Sequence, residues 1–504
     1  MGDNDGLWYE LANEAPAVRP SENLRDPKRW GLSANVIATL GERLHGFWKR
    51  FHTCFTTKTR DTSEHALTYL RAQLTMDAKR NFANIGRTLG DDDGQKLQHF
   101  MSESPWSGQD VFEQIAAEIA DTPALGTGSV LLLDESADEK AGTHSAGASR
   151  QYNGRQGKVD LCRVDTCLGY VNLAVGLWTL VDAELFLPEE WFSRASAKKR
   201  KALGIPKGRR FVSKLDQGLA MLRRARARKL PFELLACDSN YGRDSGFRAE
   251  VDALEVSYAA QVPSTTRVYL SEPEVGVPPR RGTGGRAPTR LRVLSQEAPL
   301  EVRALVAERR LRFRRVEVRQ SERGALVAHF GVRRVWTVAE GQRARAEWLV
   351  VRRDSDGKCT YTLLNAPFDA DADELVRSSC QRYFVERVFQ DAKSQIGFDE
   401  FCAQKYRAWE HHLALTALAL WFVAQTKMDL ARDAARDPQL ARLLEVEILP
   451  ALSTANIREL MKAIMPVPQL TLDEAIELVG THLWNRLRSL RSRSKAQARS
   501  RASP

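Results

Sequence analysis

Ser129-Val130-Leu131-Leu132-Leu133-Asp134 is a short apolar run ending in an acid, and Phe232-Glu233-Leu234-Leu235-Ala236-Cys237-Asp238 repeats the arrangement, its Asp 104 residues further on. Runs of this length and composition read as buried strands of a sheet covered on both faces. Between them lie strand-like runs near 162–176 and 177–187 and a basic helix at about 214–229. Strands alternating with helix point to an α/β core. Ligands and metals collect at strand ends in such sheets, which makes Asp134 and Asp238 candidate functional acids. A strand ending in Asp is common, so neither acid carries the inference by itself.

Outward from this core, residues 1–125 read as helical, with apolar residues at three- and four-residue spacing in 66–74 and 111–119. Asp91-Asp92-Asp93-Gly94 marks a turn or helix boundary between them. Downstream, 273–290 is a linker rich in Pro, Gly and Arg, and 269–375 reads as β-rich. Helix returns near 376. In the helix Arg382-Tyr383-Phe384-Val385-Glu386-Arg387-Val388-Phe389-Gln390-Asp391-Ala392-Lys393, an apolar face is formed by Val385, Phe389, Ala392 and Ile396. Arg382, Glu386 and Lys393 share a neighbouring stripe; taken alone, Arg382 and Glu386 read as an ordinary i, i+4 ion pair. The organisation read from these patterns is 1–125 helical, 126–268 α/β, 269–375 β-rich, 376–430 helical, and 431–504 helical with a basic tail.

Charge narrows the partner. The 504 residues carry 75 Lys and Arg against 64 Asp and Glu, a net +11. Residues 191–229 alone hold 14 basic residues and one acid, Asp216, more excess charge than the whole chain. Such density is the footprint of phosphate binding, and an uncompensated run inside a folded domain repels itself. The tail 484–504 adds seven more basic residues and no acid. Seven scattered cysteines form no CxxC pair and no zinc spacing, which fits reduced thiols. The most apolar stretch, 413–424, is 12 residues, short of a bilayer span, and no signal peptide is legible at the N-terminus. A membrane protein, a secreted scaffold and a zinc finger are therefore not expected. His144, His411 and His412 read as packing or DNA-contact residues rather than metal ligands.

Two strand-end aspartates followed by a helical Arg-x3-Glu-x6-Lys resemble the DDE insertion-sequence transposases, in particular the bacterial branch with a Tyr-x2-Arg-x3-Glu-x6-Lys signature. Ser149-Arg150-Gln151-Tyr152-Asn153-Gly154-Arg155-Gln156-Gly157-Lys158 is similar to the family's Arg-Gln-Tyr-x-Gly-x-x-Gly-Lys stretch, and Cys237-Asp238-Ser239-Asn240-Tyr241-Gly242 to its Asp-x-x-Tyr-Gly. Residues 386–397 followed by Trp409-Glu410-His411-His412 are similar to its Glu-x-x-Phe-Gln-x-Ala-Lys…Gly and Trp-x-x-His segments. The resemblance covers roughly residues 60–425. At the signature Tyr position this chain has Ser379, so the likeness does not extend to that Tyr–phosphate contact.

The resemblance implies an α/β fold: a ribonuclease-H-like catalytic core in two parts, 126–268 and 376–430, interrupted by the β-rich insertion 269–375 in the 148 residues between Asp238 and Glu386, with a helical DNA-binding N-terminal region (1–125) and a helical C-terminal region with a basic tail (431–504). It implies a triad of Asp134, Asp238 and Glu386 holding two Mg²⁺ ions (or Mn²⁺), Asp134 shared and the others holding one each. Hard oxygen ligands suit those ions, and a pair of them serves phosphodiester cleavage and strand transfer. Arg155, Lys158, Lys214, Arg223, Arg224, Arg382 and Lys393 are the expected DNA contacts. The partners implied are double-stranded DNA, both element ends and target, with a dimer on DNA and a cytoplasmic, nucleoid-associated setting. A non-catalytic DNA-binding descendant and a structure-selective nuclease on the same fold are the alternatives.

Overall fold

The computed structural model describes residues 38–89, 94–154, 156–280, 288–321, 324–432 and 452–465, with scattered positions of a helix between 476 and 494. The expected Asp91–Asp93 turn lies outside the described residues. The described residues open with helices α1 (Leu40–Phe51), α2 (Ser63–Thr75), α3 (Phe82–Leu89), α4 (Gln95–Ser102) and α5 (Gly108–Ala120). Strands β1 (Ser129–Glu139), β2 (Ser149–Asn153), β3 (Lys158–Asn172) and β4 (Leu177–Leu185) follow, then α6 (Ala197–Ala202), α7 (Lys214–Ala227) and β5 (Leu234–Cys237). A short helix α8 (Ser239–Gly242), α9 (Ser245–Ala253) and β6 (Tyr258–Val262) complete the first half.

Strands β1, β5 and β6 run parallel at the centre of a ten-stranded mixed sheet, and β3 lies antiparallel against β1 with β2 and β4 on its far side. Leu131, Leu132 and Leu133 are buried because both faces of β1 are covered, as their unbroken apolar run predicts. One detail differs from expectation. β1 does not end at Asp134 but continues to Glu139 against β3; what ends is the parallel ladder, at Leu133–Cys237. Asp134 and Asp238 are thus the first residues beyond it, side by side on neighbouring strands.

The β-rich segment is not a separate sheet. After helix α10 (Val302–Ala307), strands β7 (Phe313–Ser321), β8 (Gly324–Val338), β9 (Ala344–Arg353) and β10 (Cys359–Leu364) continue the central sheet, in the order β7-β8-β9-β10-β6-β5-β1-β3-β2. Its apolar residues alternate: Val335, Leu349, Val351 and Leu363 pack on one face, Ala328, Phe330, Val350 and Leu364 on the other. The linker expected at 273–290 contains one strand of a two-residue ladder, Val275–Gly276 with Arg292–Val293, and its residues 281–287 lie outside the described residues.

Helix resumes with α11 (Ala372–Ser379), α12 (Tyr383–Asp391), α13 (Tyr406–Arg432) and α14 (Thr454–Ile464). Every residue of 411–424 is buried, so α13 is apolar on all sides and forms the spine between the N-terminal helices and β4. The apolar run of 12 residues understated this helix. Its 27 residues are long and apolar enough to cross a membrane by length and composition, yet 83% of its most apolar window is buried inside the protein.

His411 and His412 serve packing. His411 stacks 3.6 Å from the Trp106 ring, with its ring nitrogens 2.9 Å from the carbonyl oxygens of Met101 and Trp106. His412 lies between the Tyr69 hydroxyl and the Phe398 carbonyl, each at 3.0 Å.

Candidate active site

Asp134, Asp238, Arg382, Glu386 and Lys393 line one cavity of about 570 Å³, together with Glu135, Tyr152, Asn240 and Phe389. Three independent chain segments build it. The first is β1, which brings Asp134; its Oδ1 accepts from the Glu135 backbone N–H at 2.7 Å. The second is the end of β5. Asp238 caps α8, its Oδ1 accepting the N–H groups of Asn240 (3.0 Å) and Tyr241 (3.4 Å). The Gly that closes this block has a steric cause: a Cβ on Gly242 would stand 1.9 Å from the Gln261 carbonyl oxygen of β6.

The third segment is α12. Val385, Ala392 and Ile396 are buried, as the period predicts, and Val388, which was not on the expected face, is buried with them; this turns Arg382, Glu386 and Lys393 towards the acids. Phe389 is only partly buried, because it also lines the cavity. The helix is not α throughout: Ala392–Ile396 forms a π-helical turn, a widening frequent at functional sites, and Lys393 within it donates to the Ala137 carbonyl oxygen at 3.4 Å.

The Arg382–Glu386 pair expected from their spacing does not form. Instead Arg382 Nη2 donates to Asp134 Oδ2 at 2.8 Å, across 248 residues of sequence. Arg382 is the N-cap of α12, so its side chain leaves the helix and reaches β1. Glu386, exposed on the first turn, accepts no hydrogen bond from any described residue.

Burial pushes the Asp238 carboxyl up to about 6, and repulsion from Asp134 adds to the rise, while Arg382 and the Asn240 N–H oppose it. Two carboxylates facing each other with this strain are a donor set that a divalent cation relieves, and their oxygens suit Mg²⁺ or Mn²⁺. Among the described residues no three His, Cys, Asp or Glu side chains are gathered tightly enough to hold a metal ion as they stand. The fit therefore rests on the Asp134–Asp238 pair, with Glu386 untied on the cavity wall.

The other expected contacts scatter. Arg155 lies outside the described residues. Lys158 is exposed on the β2–β3 hairpin, 3.4 Å from Asp160; Tyr152 and Gly154 of the same hairpin line the cavity. Lys214 pairs with Glu135, whose carboxyl is pushed up by burial. Arg223 pairs with Glu250 at 3.2 Å.

Arg224 turns to β4, holding the buried Asp182 at 2.7 Å beside Arg228 at 3.5 Å. The run 191–229 is therefore not uncompensated: Asp182, Glu184, Glu135, Glu250 and Glu113 meet it from elsewhere in the fold. Sequence reading missed Glu135, Asn240 and Phe389. Asn240 and Phe389 carried a signal, lying inside the blocks around Asp238 and Glu386, and Glu135 carried none.

Three comparisons bear on this geometry. Over 210 residues the chain is 24% identical to a probable transposase for insertion sequence element IS701 from Microchaete diplosiphon, covering 41% of this chain and 51% of the relative. The chain thus spans about half the length of the curated relative it matches. A solved piggyBac transposase synaptic complex with hairpin DNA aligns over 88% of this chain and 84% of its own, at 10% identity and a TM-score of 0.33. Residues 50–325 match the DDE superfamily endonuclease family, a span that contains Asp134 and Asp238 and stops short of Glu386. Since that span exceeds half of the chain, the chain belongs to the DDE superfamily endonucleases.

Proposed function

We propose that the protein is a DNA transposase of the Tyr-Arg-Glu-Lys signature branch, cleaving at the ends of an insertion sequence and joining the freed 3′-hydroxyls to target DNA. The observation that carries this reading is the meeting of Asp134, Asp238 and Glu386 with Arg382 and Lys393 in one cavity. Asp134, Asp238 and Glu386 would hold two divalent ions, Mg²⁺ or Mn²⁺, which when bound supply activation of the attacking oxygen and stabilisation of the leaving one. The chain's cations do the rest. Arg382 and Lys393 hold the phosphate beside the acids, Lys158 of the β2–β3 hairpin grips the backbone, and Arg155 is assigned to DNA from its sequence block alone.

In the first step a water oxygen attacks the phosphorus and the 3′-oxygen leaves, taking a proton to become a hydroxyl. In the second, that hydroxyl attacks a target phosphodiester. One P–O bond forms and one breaks each time, so no protein nucleophile is required. The β-rich segment 269–375 is read as the insertion that divides the core (126–268 and 376–430). The helical region 1–125 and the region 431–504 with its basic tail are assigned to DNA, and a dimer is expected on two paired ends in the nucleoid.

The test is a DNA fragment carrying the element's own ends, incubated with Mg²⁺. Wild-type protein should nick at the ends and transfer the 3′-hydroxyl strand. Asp134→Ala, Asp238→Ala and Glu386→Ala should each abolish both steps and retain DNA binding. Wild-type rates in any one of them would remove that residue from the triad.

A further inference from the structure

The fold divides the basic run 191–229 into two populations. One is consumed by the protein itself: Arg209, Lys214, Arg223, Arg224 and Arg228 pair with carboxylates, Arg200 donates to the Ser193 carbonyl at 2.9 Å, and Lys199 lies 4.0 Å over the Trp191 ring. The other population, Arg194, Lys198, Lys201, Lys207 and Arg210, is exposed and makes no ion pair or side-chain hydrogen bond to any described residue. These five fall within 17 consecutive residues, on and around α6, and no acid occurs among them.

The sorting follows the helix. Lys198 and Lys201 are three apart and face outward, with Arg194 one turn earlier, while Lys199 and Arg200 turn in to the Trp191 segment. The ledge is fixed in place. Trp191, Leu203 and Ile205 are buried, and the Leu203 carbonyl accepts the Tyr406 N–H of α13 at 2.9 Å. A rigid ledge of unpaired like charges raises the folded state's energy unless a polyanion covers it.

Its position names the polyanion. Beyond Arg210 the chain passes directly into Phe211, Ser213 and Lys214, which line a second cavity of about 630 Å³. That cavity shares Glu135, Tyr152 and Asn240 with the candidate active site. We infer that the ledge Arg194–Lys198–Lys201–Lys207–Arg210 grips the phosphate backbone of the duplex arm adjoining the cleaved phosphodiester, without reading its sequence. The inference deepens the proposed function and rests on it.

The experiment measures binding of the full chain to duplex DNA by fluorescence anisotropy across a salt titration, with an element end and a scrambled duplex as probes. Lys198→Gln/Lys201→Gln is compared with Arg226→Gln/Lys229→Gln, which removes two exposed and unpaired charges from the far end of α7. Each phosphate neutralised contributes a slope of roughly −0.9 in log K against log salt, so the ledge variant should lose about 1.8 from the magnitude of the slope, equally on both duplexes. The far-end variant should lose less than half of that.

Equal losses would mean that only net charge matters, and an unchanged slope in the ledge variant would mean that the ledge touches no DNA; either overturns the inference. A wild-type chain with no duplex affinity at any salt would instead remove the transposase reading itself. Both variants replace exposed, unpaired side chains, and an unchanged melting curve confirms that the fold is retained.

Discussion

Replacing Arg382 with glutamine separates two roles that its position gives it. Its guanidinium holds Asp134 Oδ2 at 2.8 Å, with side chains only 22% and 13% exposed, so this is a charge-assisted bond with limited solvent screening. Such bonds contribute about 1.5–3 kcal/mol. A divalent cation that uses Asp134 must displace the guanidinium and lose that contribution. Removing Arg382 should therefore tighten cation binding by about 10- to 100-fold, at 1.4 kcal/mol per decade.

The assay is calorimetric titration of DNA-free protein with Mn²⁺ near pH 8, above the value of about 6 to which Asp238 is raised. Single-turnover cleavage at saturating metal should move the other way and fall by 10- to 100-fold, because the phosphate loses a positioned contact. Cation affinity that is unchanged or weaker in Arg382→Gln would refute the competition. Unchanged cleavage with tighter metal binding would leave Arg382 as an ion-pair partner of Asp134 and nothing more.

Three further outcomes are expected. Lys393→Ala should slow single-turnover cleavage or strand transfer about 10- to 100-fold with the Mg²⁺ titration midpoint near wild type; rescue by excess Mg²⁺ would instead tie Lys393 to the electrostatics of the acids. Arg224→Gln should cost about 1–3 kcal/mol in urea unfolding, because Asp182, buried behind it, keeps only the longer contact to Arg228, while the salt slope of DNA binding stays near wild type. A flattened slope at full stability would place Arg224 on DNA. The third concerns His412, which burial holds at about 3, below the usual 6.5. The unfolded chain takes up this proton first, so stability is complete above pH 6.5 and falls as the pH drops towards 3, by roughly 3 kcal/mol at pH 4.5. Urea midpoints of His412→Gln between pH 7.5 and 4.5 should show a lower starting stability and a flatter decline; an equal decline would place the acid sensitivity elsewhere.

Much of the architecture was legible because burial is written locally. The apolar run before Asp134, the one before Asp238 and the period through Val385, Ala392 and Ile396 each specify an element from its own residues, and all three elements form. The extent of α13 was not legible from its apolar run, because its ends carry polar residues that only the surrounding helices and β4 cover. Nor was the continuation of β1 past Asp134, which depends on pairing with β3.

By itself, then, the sequence determined the strands before Asp134 and Asp238, the helix through Val385, Ala392 and Ile396, and that three acids and two cations stand at fixed points along them. Tertiary structure alone decided which charges meet. Arg382 passes over Glu386, four residues away, for Asp134 at 248, and Arg224 finds Asp182 across 42. The physical reason is range. Apolar burial sums over neighbours along one element and leaves a periodic trace, whereas an ion pair is decided by a few ångströms between groups that the chain brings together only when it folds.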